Sequence, residues 1–276
     1  MKKLFSLLVL FACLIFGGCA AQTTTADIAA TTAPVAQMVQ AITDGTELRA
    51  APLVTEPVSC LHDYTLSVHQ MQTLETADVI VISGLGTEEF MQDALAGASC
   101  VIDASRDVTP IGDDPHIWLD PARAAQMTRT VAAELSLVYP QHASVFAENA
   151  EAYCKEFEKL QSYGEESLRD LSCRSLVTFH DGFAYFADAF DLEIAAAMEV
   201  EAGSEPSAGE LLDIIELVRT ESLPAVFTEE NGTTDAANLV ASETGTAVYT
   251  LDLAMGQADH LSAIRANIDT VKEALG

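Results

Sequence analysis

Basic residues are scarce. Thirteen Lys and Arg stand against 42 Asp and Glu in 276 residues, for a formal net charge of −29. Nucleic acid is excluded as a partner, because displacing counterions from backbone phosphates needs a Lys/Arg surface that this chain lacks. The same imbalance disfavours anionic ligands and favours a cationic one. Apart from the N-terminus the sequence has no long apolar run, and none approaches the roughly 20 residues that span a bilayer. It contains neither HExxH nor GxSxG, two signatures of hydrolytic sites. Tryptophan occurs once, at Trp118. With 49% apolar residues the chain is nonetheless built to fold, and its length suits one large domain or two lobes.

The N-terminus reads as an export address. Lys2 and Lys3 precede an apolar run, Leu4–Phe16, and Gly17-Gly18-Cys19 follows. A basic start, a short apolar core and small residues form a signal peptide over 1–18. The thiol directly after two glycines resembles a lipobox, which makes Cys19 the acylated first residue of the mature chain. Residues 19–26, small and polar, then form a tether. The expected location is extracytoplasmic, anchored to a bacterial membrane through lipid.

Strand and helix patterns alternate through the rest. Ile28–Thr32, Glu47–Val54, Asp78–Ser83 and Cys100–Ala104 read as strands. Pro34–Ile42, Val68–Thr76, Glu88–Leu95 and Pro121–Tyr139 read as helices, the last with Asp120 as N-cap and Pro121 in its first position. From Gln141 to Leu171 there is no proline, and Phe146, Ala150, Tyr153, Phe157, Leu160, Gly164, Leu168 and Leu171 recur at steps of three and four, one helical face. Such a helix would be about 46 Å long, more than one small lobe needs. Alternation then resumes, with strands at Ser175–Phe179, within Glu193–Val200, at Ala225–Thr228 and at Ala247–Leu251. The intervening helices are Gly182–Phe190, Ala208–Thr220 and Thr234–Thr244, and Ala258–Leu275 closes the chain. The expected fold is α/β: two lobes with parallel sheets and surrounding helices, 27–140 and 173–276, joined by one long rigid helix over 141–172.

Three of the six histidines fall in loops, the positions where α/β sheets place ligands. His62 lies in LHDYT, His116 in DDPHIWLDP, and His180 directly after the strand LVTF. Asp252 ends the strand AVYTL in the same way. Three imidazoles and a carboxylate suit four-coordinate Zn²⁺, although their wide spacing is unlike that of a zinc finger. His69, His142 and His260 read as surface residues. Asp63 is a candidate for orienting an imidazole or for capping a helix. Glu229 or Glu230 is a candidate neighbour of the site or a competing fourth ligand, with at least one of them exposed. Trp118 reads as packing. Cys60, Cys100, Cys154 and Cys173 are expected as thiols, since Cys154 and Cys173 would lie about 28 Å apart along one helix. Cys60 is a minor alternative zinc ligand.

The segments HDYTLSVHQMQTLETADVIVISG, DPHIWLDPARAAQM, VTFHDGFAYFADAFDL, SEPSAGELLDII and VFTEENGTTDAANLVASETGTAVYTLD resemble the metal-binding receptors of zinc and manganese ABC transporters, the ZnuA/TroA type. That resemblance implies the same two-lobe, one-helix fold, with His62, His116, His180 and Asp252 as ligands in the cleft. It implies a monomeric receptor, not an enzyme, that carries Zn²⁺ (Mn²⁺ as alternative) as transported ligand to an ABC permease. Manganese receptors of this type usually carry a carboxylate at the position of His180. Asp107–Asp114 is short and free of histidine, whereas zinc members often have a long His- and Asp-rich loop there. The alternatives are a metal-binding surface adhesin and, behind it, a zinc hydrolase.

Overall fold

The computed structural model describes residues 26–58, 61, 64–198, 206–256 and 258–276. The signal, Cys19, Cys60, His62 and Asp63 lie outside the described residues.

Two parallel four-stranded sheets form the frame. In the first, β1 (Ile28–Ala30), β2 (Ala50–Pro52), β3 (Val79–Ile82) and β4 (Val101–Asp103) lie in the order β2-β1-β3-β4. In the second, β5 (Ser175–Thr178), β6 (Glu193–Ala197), β7 (Ala225–Glu229) and β8 (Ala247–Leu251) repeat that order as β6-β5-β7-β8. Each order reverses between its two central strands, and the crevice beyond the carboxyl ends at such a point is where open α/β sheets bind ligands.

Both sheets are covered on both faces, and strand alternation sorts the side chains between them. In β1 and β3, Ile28, Ala30, Val79 and Val81 face the main core, while Ala29 and Ile80 face a smaller cluster with Leu74 and Met91. In β5 and β7, Leu176, Ala225 and Phe227 face the main core, and Val177 and Val226 pack with Ile214, Ile215 and Val240. The sequence assigns Glu47–Val54 to a strand, but only Ala50–Pro52 pairs. β2 is an edge strand, where Pro52 is tolerated because its missing N–H falls on the unpaired side, and backbone bonds from Leu53 and Val54 to Ala30 and Thr31 carry the contact just beyond the paired residues.

The helices are α1 (Ala33–Thr43), α2 (Val68–Thr76), α3 (Gln92–Ala96), α4 (Pro121–Val138), α5 (Ala143–Ser167), α6 (Ala184–Ala189), α7 (Ala208–Glu221), α8 (Asp235–Thr244) and α9 (His260–Leu275). Their starts follow local chemistry. The Asp120 carboxylate accepts from Ala122 and Arg123 N–H ahead of α4, and Ser67 and Ser207 each form a reciprocal capping box with the residue three positions on.

The connecting helix is α5, 25 residues, or about 38 Å, long. It packs along α4, α1 and α9, burying Phe146, Ala150, Cys154, Phe157, Leu160 and Gly164. Gly164 is required by packing: a Cβ there would sit 2.2 Å from the Phe190 ring. The helix stops four residues before Leu171. The Arg174 guanidinium caps the Leu168 carbonyl at 2.9 Å, and the Ser172 N–H turns to Leu275 at the end of α9. Cys100, Cys154 and Cys173 are free thiols. No helix among the described residues is long and apolar enough to cross a membrane.

Candidate metal centre

His116 follows the long loop after β4 and opens a short 3-10 turn, Ile117–Leu119. Asp114, two residues earlier, grips it twice, accepting the His116 backbone N–H at 2.8 Å and lying 2.7 Å from Nδ1. A carboxylate only accepts, so Nδ1 carries the ring hydrogen and Nε2 keeps its lone pair for a metal. The second Asp114 oxygen accepts from Ala184 N–H at 3.0 Å, at the start of α6 in the other lobe. Asp114 therefore orients the His116 ring and ties the lobes together.

His180 sits two residues beyond β5, at the topological switch of the second sheet. Its ring meets that of His116 edge to face, with centroids 5.3 Å apart. Its Nδ1 is 3.6 Å from Oε2 of Glu229, the buried last residue of β7. Glycine makes room for this approach. A Cβ on Gly182 would come within 2.6 Å of the His180 ring and 2.9 Å of the His116 ring, and one on Gly232 would meet Glu229 at 2.6 Å.

Asp252 follows β8. Asn267 of α9 clasps its backbone, accepting from Asp252 N–H at 2.8 Å and donating to its carbonyl at 2.7 Å. Its Oδ1 accepts from the N–H of Ala254, which adopts a left-handed φ of 60°. Glu230, exposed, is hydrogen-bonded to the Asp252 side chain. The Asp252 charge, with burial second, holds the Glu230 carboxyl above its ordinary pKa. One of the two glutamates, Glu229, is thus buried beside His180 and the other, Glu230, faces solvent, in keeping with the expectation from sequence.

The fold brings His116 and His180 together across the cleft and sets Asp252 at the corresponding strand end of the second lobe. Among the described residues no group of three His, Cys, Asp or Glu side chains closes into a metal cage. The remaining sequence candidate, His62, lies outside them. Trp118 is buried, as packing requires, and its Nε1 also donates to the Leu253 carbonyl at 2.8 Å.

Two surface assignments are corrected. His260 is wholly buried, with its Nε2 2.7 Å from the Trp118 carbonyl, and His142 is partly buried, with its Nε2 3.2 Å from Glu47. His69 is exposed as expected. From sequence, Asp63 was a candidate for orienting an imidazole or capping a helix and lies outside the described residues, and Asp114 and Gly182 were missed. The available signal was the spacing D-x-H and H-x-G around two ligand candidates.

Two α/β lobes on a single helix, with an imidazole from each lobe meeting in the cleft, define a solute receptor of the rigid-helix class. The chain belongs to the family described as "Zinc-uptake complex component A periplasmic", whose profile matches residues 28–274. A crystal structure of a zinc-bound ZnuA deletion mutant is similar, with a TM-score of 0.80 and 30% identity, covering 91% of this chain and 98% of that one. The manganese-binding lipoprotein MntA of Halalkalibacterium halodurans is 25% identical over 79% of this chain and 77% of its own length. The zinc-binding lipoprotein AdcA of Streptococcus pneumoniae is 33% identical over 48% of this chain and 26% of its own length.

Proposed function

We propose that this protein is an extracytoplasmic receptor that binds Zn²⁺ as cargo and hands it to an ABC transporter permease, without catalysing a reaction. One observation carries the reading: His116 and His180, from opposite lobes, converge with centroids 5.3 Å apart, and Asp114 holds the Nε2 of His116 available to a metal. His62 and Asp252 complete the ligand set. Three imidazoles and one carboxylate favour Zn²⁺ over Mn²⁺, which takes more oxygen ligands. The relatives supply both metals by name, so the choice rests on that donor set. The chain acts as a monomer, with 27–140 and 173–276 as its lobes and 141–172 as the connection. The export signal of 1–18 is removed, and Cys19 carries the lipid.

Competitive titration of the purified protein with zinc and manganese tests the assignment. One equivalent of tightly bound zinc that manganese does not displace is expected. A clear manganese preference would overturn the zinc assignment, and no stoichiometric uptake of either metal would overturn the receptor reading. Cys19→Ser is expected to release the protein from membranes, and unchanged retention would refute the anchor.

A further inference from the structure

Two residues on one face of α9 reach the two sides of the metal site without belonging to it. His260 and Asn267 are seven residues apart, two helical turns or about 10 Å along the axis, and both are buried, with 0% and 1% exposure. Asn267 holds both backbone groups of Asp252, the ligand candidate of the second lobe. His260 donates through Nε2 to the Trp118 carbonyl, two residues beyond His116, the ligand candidate of the first lobe. The Trp118 indole lies edge-on to the His116 ring, 5.4 Å between centroids, and returns a hydrogen bond from Nε1 to Leu253, the neighbour of Asp252. The circuit from His116 through Trp118 to His260, along α9 to Asn267, and back through Asp252 and Leu253 is thus closed by hydrogen bonds of 2.7–2.8 Å. α9 is itself fixed to the first lobe at its start, where His260 N–H donates to the Gln37 side chain at 2.7 Å, and the His260 ring abuts Phe157 of the connecting helix.

We propose that α9 is the gauge of the metal site: His260 and Asn267 are positioning residues that fix the separation of His116 and Asp252 before any metal arrives, and so select a small four-coordinate ion over a larger six-coordinate one. This rests on the receptor reading above. The reason is energetic. A site assembled by the ion itself must order its ligands on binding, and that cost lowers affinity; a site held at one spacing avoids it and tolerates only ions that fit. His260 and Trp118 supply the cross-lobe part of that restraint through atoms that never touch the metal.

The test is metal selectivity in three variants. Trp118→Phe keeps a six-membered aromatic ring but deletes the Nε1–H donor together with the rest of the indole, so its effect is read beside that of the His260 variants, which leave the indole intact. His260→Leu removes the donor to Trp118, and His260→Gln restores one. Zinc and manganese affinities are measured by competition, and Co²⁺ is bound as a spectroscopic probe whose visible absorption is intense in four-coordinate sites and weak in six-coordinate ones. Trp118→Phe and His260→Leu are expected to lose about tenfold in zinc affinity, the scale of one hydrogen bond. The zinc-to-manganese ratio should fall and the cobalt absorption weaken, with His260→Gln closer to wild type than His260→Leu. Folded Trp118→Phe with the wild-type ratio and cobalt spectrum would overturn the gauge and leave the receptor reading intact. Wild-type protein that takes up no metal would overturn the receptor reading, and the gauge with it.

Discussion

His260 predicts how the protein responds to acid. The ring is wholly buried against Phe157, and burial pushes its pKa from 6.5 down to about 4, against smaller opposing effects of the Trp118 carbonyl and the Asp259 charge. The folded state therefore resists a proton that the unfolded state accepts. Above pH 6.5 neither state is protonated, and the neutral histidine contributes its full packing and its bond to Trp118. Below that the unfolded chain gains protons first, so stability falls as pH drops from about 6.5 and stops falling near pH 4, where the folded ring also titrates. A gap of that size amounts to about 3 kcal/mol, a large part of the ordinary stability of a domain. The perturbation is His260→Gln, which cannot titrate and can still donate. The assay is urea unfolding of metal-free protein at intervals from pH 7.5 to 4. Other groups titrate equally in both proteins and cancel in the difference. Wild type is expected to lose about 3 kcal/mol more than His260→Gln across this window. Parallel stability curves would refute the claim that a neutral, buried His260 supports the interface.

Further expectations concern the site and the frame. Asp114→Asn should lower zinc affinity about tenfold or more, since a partner that fixes tautomer and ring orientation is lost, and calorimetric titration measures it. Gly182→Ala should abolish tight zinc binding while leaving the far-ultraviolet circular dichroism unchanged, because its Cβ collides with both imidazoles. Zinc affinity should fall steeply between pH 7.5 and 5.5, as protons compete for the histidine nitrogens; a flat profile by competitive titration would exclude them as ligands. Small-angle scattering should give nearly equal radii of gyration with and without zinc, because α5 has no proline and sharp bending would break its hydrogen-bond ladder.

Much of the frame was legible because local chemistry determined it. The apolar run DVIVIS, the Asp120-Pro121 start of α4 and the apolar seam of α5 each carry their own signal, and each element formed within a few residues of the expected bounds. Departures came where distant groups intervene. The connecting helix ends early because Arg174 and Leu275 take over its final backbone groups. His260 looks like a solvated helix start beside Asp259, and only partners distant in sequence, the Trp118 carbonyl, the Phe157 ring and the Gln37 side chain, give it a reason to be buried. His180 and Asp252 were singled out by the strands they follow and His116 by the motif around it, and the fold brings the two histidines together. Asp114 was equally near at hand, but its grip on His116 depends on a loop conformation that residue types do not specify. Gly182 was invisible for a related reason: its need to lack a Cβ arises only when the second lobe meets the first.

The main core has no seam between the lobes. Val81 and Ile102 from the first sheet, Phe146 and Phe157 from α5, and Phe227, Leu251 and Ile268 from the second half all belong to one continuous cluster. The last 16-residue helix lies against α1, α5 and β8 at once. During synthesis, the first half must therefore emerge from the ribosome with one flank of its interior open, and nothing made before the final helix can close it. A chain cut anywhere before His260 would leave both halves incomplete. The interior of either half therefore reaches its final form only once α9 has docked.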